Sequence, residues 1–597
     1  MPTPKKSAPA GEVRRPKNTL SKKLARQRLL GDLISPKLRT TLASRRWPLE
    51  VLRELDLMIK VPVYFEDPLV AKEIPELGPN MIEIAWEPGL ADGPTSSRLA
   101  VVDYDGDAKR LEQPAHWVEE KRCFVNNPTA KKPLTSEHRN PHQFHQMNVW
   151  ATVQRVLDFY EDATVLGRPV PWAFRGNRLI IVPHAGEGQN ACYDPTSKSL
   201  QFYYFGEANR VYTCLSHDIV AHEAGHAVLD GIRPYFLDSF GLETAALHEF
   251  VADITAILSS LRNNDVRSFF IQSLEGKKPA NFLENLAEQF GEAVENRPYL
   301  RTANNKFTMD DMPGRECHEC SQILTGMVFD ILLGLLESYW HERKRSAKQA
   351  AWDATQRITR LALQPLDYFP PVDAKFSDYA QAMLHRDYLL NPDDPYKYRS
   401  IIRQVCNTRK IPVPQDDKPI EAPYNLSYPP VNDLLASHTA AYHYLHANRK
   451  ALRIPNRQDV VIVDVSAAER VGRDYFHLPR EVIMQYLWAE DVTLDGREFG
   501  PLQGMAVPLL CGGTVVFDEN SNFLYWARKP GTEEEKDQAE GRQRKQELLA
   551  HVADRVAAGD AEVYKRLTSG RFTTQSSLTE STLAQRLGLS NSSRLGD

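Results

Sequence analysis

The residues best suited to chemistry sit in one short segment, Ser216 to Gly231, which reads SHDIVAHEAGHAVLDG. His222 and His226 stand four apart, with the acid Glu223 directly after the first. Residues four apart share a helical face, so a helix here aims both imidazoles at one point. Zinc takes imidazole nitrogen at about 2.0–2.1 Å, and one helical turn sets the bite that two such ligands need. Glu223 falls beside that pair rather than on the metal, where a carboxylate can take a proton from a zinc-bound water. Ser216 is placed to cap the helix, Asp218 to complement its dipole and Gly231 to stop it.

A zinc site open for catalysis needs a third protein ligand and leaves its fourth position to solvent. Twenty-three residues after His226, the segment ALHEFVADI supplies Glu249, with Asp253 one turn later on the same face. Most of the other side chains of this helix are apolar, among them Leu247, Phe250, Val251 and Ile254. Two carboxylates carried into such surroundings are costly without a cation. Glu249 therefore reads as the third metal ligand. Asp253 reads as the acceptor for the ring N–H of His222, a bond that fixes the tautomer and raises ligand basicity. His318 opens another helix, ECHECSQILTGMVFDILLGL, where it is placed to donate a hydrogen bond to a developing oxyanion. Asn190 and Ala191 begin a strand–DPTSK–strand hairpin, and an edge strand beside a cleft can pair with an extended peptide.

The elements that must position these groups fall into two regimes. Strand-like runs dominate residues 51–213, at 57–65, 81–86, 99–104 and 179–183, with one long helix over 143–162. Helices dominate residues 214–412, over 216–230, 244–261, 282–295, 317–340, 347–363 and 376–389. A Pro-rich linker at 413–454 leads to a β-rich module at 455–530, then a charged helix and a polar tail at 531–597.

At this point the chain resembles a known family. His222-Glu223-x-x-His226 followed by Glu249-x-x-x-Asp253 is similar to the pattern of the gluzincin zinc metallopeptidases, and its surroundings resemble the thermolysin and fungalysin type. The likeness to the active-site helix runs almost throughout Asp218–Asp230. The Asn190–Ala191 hairpin resembles the family's substrate-pairing edge strand, and His318-x-x-Ser321-x-Ile323 the segment of its transition-state histidine. The likeness covers residues 145–412. It implies an α+β fold: a two-lobed zincin (thermolysin-like) catalytic domain, with a β-rich N-terminal lobe, a helical C-terminal lobe and a small β-rich C-terminal module besides. It implies Zn2+ as cofactor, a peptide or protein as substrate, and endopeptidase action through Glu223 and His318. Two departures stand out. Ser260 occupies the place of a calcium-binding carboxylate in secreted members, so the paired calcium site is expected to be absent. The acid that orients the transition-state histidine is missing from its usual spacing, which leaves Asp310 or Asp311 as candidates.

Bulk properties narrow the classes. The net charge of −5 over 597 residues hides a basic arm: residues 1–50 hold thirteen Lys/Arg against three Asp/Glu. No nucleic-acid recognition motif accompanies that arm. The apolar runs are too short to predict a membrane span. Seven scattered cysteines without a recognised signal peptide point to reduced thiols and a cytoplasmic protein. The oligomeric state is not legible. Two alternatives remain: a non-catalytic zinc-stabilised binding protein, which would have no need of Glu223, and an aminopeptidase-type gluzincin, which would need an amine anchor.

Overall fold

The computed structural model describes residues 49–559, apart from residues 131, 136–141, 175, 208–209, 277–281, 296–297, 419, 473–475 and 534–537. The basic arm up to residue 48 and the polar tail beyond 559 lie outside the described residues.

Alternating apolar side chains make β1 (Met58–Val63), which pairs antiparallel with β2 (Asn80–Ala85). The expected strand at 99–104 is shorter: β3 ends at Val101 (Leu99–Val101), and Tyr104–Asp105 pairs separately with Arg110–Leu111. The long helix α1 (His142–Glu161) is buried along most of its length and packs on β1 and β3. A four-stranded sheet is built from β3, β4 (Leu179–Val182), β5 (Ala191–Asp194) and β6 (Ser199–Phe202). Its order is β3–β4–β6–β5; the first three run parallel, and β5 closes the edge antiparallel. The β5–β6 turn is held by the Asp194 carboxylate, which accepts from the backbone of Thr196 and Ser197.

Two helices form the centre. Every residue of α2 (His217–Ile232) is buried, and α3 (Leu242–Ser260) lies against it. Gly225 permits the close approach: a Cβ there would stand 2.9 Å from the Ala252 Cα and 2.8 Å from the Thr255 hydroxyl. Gly231, expected as the stop, lies inside α2, where a Cβ would collide with the Pro171 carbonyl. Its role is contact, not termination.

The expected helix at 282–295 is broken. Ala287 adopts φ +57°, after which the helix runs Glu288–Glu295; before it, Asn285–Leu286 pairs with Arg301–Thr302. This short pairing delivers Arg301 to the centre of the molecule. The helix α4 (Cys317–Glu337) runs on in a π-turn to Glu342. By length and composition this 26-residue stretch could cross a membrane, contrary to the reading of short apolar runs, but 72% of its apolar window is buried against neighbouring elements. All seven cysteines are free thiols.

The fold is α+β. One apolar core runs from Ile59 to Ile411, through both expected lobes. A second core belongs to the C-terminal antiparallel sheet of β7 (Val461–Ala468), β8 (Glu481–Thr493), β9 (Ala506–Asp518) and β10 (Phe523–Lys529). The stretch read as linker supplies part of it: helices Val431–Ala436 and His438–Ala447 bury Leu434, Ala441 and Leu445 against the sheet. The helix Gln538–Ala557 adds Leu548 and Val552.

Candidate metal centre

The α2–α3 contact brings three donors together. His222 Nε2 and His226 Nε2 lie 3.1 Å apart; His222 Nε2 stands 3.5 Å from Glu249 Oε2 and His226 Nε2 3.5 Å from Glu249 Oε1. Two ligands on a tetrahedral zinc at about 2.0–2.1 Å are about 3.3–3.4 Å apart, so each of these pairwise spacings is near that of two ligands on one ion. His222, His226 and Glu249 thus form a group able to hold a metal ion.

The far sides of the rings support this fit. His222 Nδ1 lies 2.9 Å from Asp253 Oδ1. A carboxylate only accepts, so Nδ1 carries the proton and Nε2 offers its lone pair inward. His226 Nδ1 lies 2.7 Å from Nδ1 of His248. Burial pushes His248 down to about 4, so it is neutral and can accept that proton. Glu249 and Asp253 are fully buried, whereas the side chains of His222, His226 and His318 keep 7–8% exposure. Solvent therefore reaches the cluster from the imidazole side.

Arg301 completes the charge balance. Its guanidinium donates to Asp253 and lies 3.6 Å from Glu249. Its Nη2 is also 3.2 Å from His222 Nδ1, but two donors face each other there, so this is proximity rather than a bond. The sequence reading missed both Arg301 and His248. His248 adjoins Glu249 in sequence, which was a usable signal; Arg301 had none.

His318 does arrive: its Nε2 lies 3.3 Å from Glu249 Oε1. The acid behind it is Glu316, which bonds its Nδ1. Neither Asp310 nor Asp311 serves, because Asp310 pairs with Lys410 and Asp311 caps the turn at Thr308. Glu223 is buried, and one of its oxygens accepts from the Tyr193 backbone N–H at 2.9 Å. The Tyr193 hydroxyl donates to Asp230, so β5 is clamped to α2 at two points. Asn190 precedes β5, and its carbonyl accepts from Tyr203 N. Ala191 opens the edge strand but is fully buried, so its backbone offers no free surface to a peptide in this conformation.

Around Asp218 the structure gathers acids that the sequence reading did not connect. Burial raises Asp218 to about 7, aided by Asp67. Burial likewise raises Glu66, Asp67 and Glu288, with Asp218 adding to the shifts of Glu66 and Glu288. An acid whose folded value is raised costs stability once it must ionise, so the penalty grows from pH 4 to about 7 and is complete above that. Asp218→Asn keeps an acceptor for the Ala287 N–H. It is expected to stabilise the protein by roughly 1–3 kcal/mol at pH 8 and negligibly at pH 4. Urea titrations at the two pH values check this; a loss of stability at pH 8 would contradict it.

No family model and no curated protein matches the chain. Among solved structures, it is similar to the precursor of protealysin, a metalloproteinase from Serratia proteamaculans, at 16% identity and a TM-score of 0.33. The match covers 53% of this chain and 89% of that one. So slight a likeness assigns this chain neither family nor activity; its function must be read from the side chains above.

Proposed function

We propose that this chain is a zinc-dependent endopeptidase built as a two-lobed, gluzincin-type zincin. The observation that carries the reading is the convergence of His222, His226 and Glu249 within ligand distance of one ion, with Glu223 next in sequence to the first ligand. When bound, zinc polarises a carbonyl and lowers the pKa of a water toward neutrality. Glu223 takes a proton from the attacking water and delivers it to the amine nitrogen as the C–N bond breaks. His318, oriented through Nδ1 by Glu316 and acting as the doubly protonated imidazolium, donates from Nε2 to the oxyanion that develops on the scissile carbonyl. Asp253 and His248 hold the two ligand rings in the metal-binding tautomer. Arg301 donates to Asp253 and holds it in place. Asn190 and the β5 edge would hold the peptide extended, which requires Ala191 to be uncovered on binding.

The test is metal analysis of the purified chain beside a broad peptide-cleavage screen. His226→Ala should lose one equivalent of metal and all cleavage. His318→Ala should keep the metal and lose about 10²-fold in kcat, the scale of one oxyanion donor. Metal binding with no cleavage of any peptide by the wild type would instead favour a zinc-stabilised binding protein.

A further inference from the structure

A second cluster of ligand-type side chains lies around the C-terminal ends of β3 and β4. Asp103 and His184 each follow the C-terminal end of a strand, β3 and β4, which are parallel neighbours. His145 comes from the first turn of α1, and Cys214 from the turn that leads into α2. His145 Nδ1 lies 2.9 Å from His184 Nε2. One ligand-type atom each from His145, His184 and Cys214 falls within 4.8 Å of the others, and all three residues are buried.

We propose that His145, His184 and Cys214 bind a second zinc-class divalent ion, separate from the candidate catalytic one. This does not rest on the peptidase reading. Two imidazoles and a thiolate are the donor set that selects zinc over the oxygen-seeking cations. The outer contacts match a metal-bound histidine: His184 Nδ1 stands 2.7 Å from Asp103 Oδ1, leaving Nε2 as the inward donor. Asp103 is itself held by Gln146, whose Nε2 donates to its second oxygen at 2.7 Å, while the Ala115 N–H donates to Gln146 Oε1.

The neighbouring set Asp103, His142 and His184 is also close enough to bind an ion. It would cost His184 its Asp103 hydrogen bond and place the ion beside His142, whose side chain is 38% exposed. The buried set with sulfur is therefore preferred. The competing arrangement is a metal-free chain in which His145 donates to His184 and His184 to Asp103. An ion would instead tie the ends of β3 and β4 to α1 and to Cys214, which lies three residues before α2 begins and eight before His222. It would so brace the start of the helix that carries the first candidate site.

The test uses the full chain. Wild type should hold two equivalents of zinc, and His226→Ala and Cys214→Ala one each. Cobalt-substituted His226→Ala should show a near-ultraviolet thiolate-to-cobalt band that disappears when Cys214→Ala is added. Zero metal in folded His226→Ala overturns the proposal, as does a thiolate band that survives Cys214→Ala. If Cys214→Ala does not fold, the metal count of His226→Ala decides alone: one equivalent supports the proposal and none defeats it. Retention of one equivalent by His226→Ala, with no peptidase activity in the wild type, would sink the peptidase reading and leave this one standing.

Discussion

Glu223→Gln is expected to reduce kcat for peptide hydrolysis by about 10²–10⁴-fold, the usual worth of a positioned general base, with metal content unchanged. The substitution preserves shape. The new amide oxygen can still accept the Tyr193 N–H, so the clamp between β5 and α2 survives. What is lost is the ability to take up a proton, because an amide does not do so near neutral pH. Full metal content separates this result from loss of a ligand, and unchanged thermal unfolding separates it from misfolding. A Glu223→Gln variant that still turned over peptide at the wild-type rate would remove Glu223 from the chemistry and with it the proposed mechanism.

The largest expected effect on stability lies far from that centre. Asp367→Asn is expected to cost about 3–5 kcal/mol, the penalty for breaking a buried ion pair from one side. Asp367 is fully buried in the turn after helix Ala347–Leu363 and accepts from Arg168 at 2.5 Å and from Arg470. Arg470 also binds Glu481 of β8, which in turn holds Arg386 and, at 2.9 Å, the Tyr368 hydroxyl. These groups join the C-terminal sheet to the helical body. Asparagine would leave two buried guanidinium groups facing a neutral amide. Burial alone would raise the Asp367 carboxyl, but Arg168 and Arg470 overcome it and hold the group at about 2. Its folded value is thus depressed, so its contribution is present above about pH 4 and is lost as pH falls through about 2. The gap in unfolding free energy between wild type and Asp367→Asn should therefore narrow over that acidic range. Equal stability at pH 7 would show that the arginines find other partners.

Much of the candidate site was legible because it is local. The i, i+4 spacing of His222 and His226, and of Glu249 and Asp253, fixes which side chains share a face once each segment is a helix. The apolar periodicity around them announces those helices with boundaries good to a residue or two. Local reading failed where one backbone torsion decided the element, as at Ala287, which splits the expected helix. It failed again at 413–454, where prolines hid two short helices whose apolar faces have meaning only beside the C-terminal sheet.

The sequence by itself determined the donor types, their pairing along each helix and the helical character of the segments that carry them, because those follow from the 3.6-residue repeat of a single chain segment. The tertiary structure decided which segments meet. Gly225 lets α3 approach closely enough for Glu249 to join the two imidazoles. Strand pairing at Arg301 inserts a cation no spacing could announce, and Glu316 rather than Asp310 or Asp311 takes the ring of His318. Asp67 meets Asp218, and His184 meets His145 and Cys214, across stretches of chain too long for any local repeat to relate. Such encounters are set by close packing around a shared core, where one small residue or one turned backbone angle selects the neighbour.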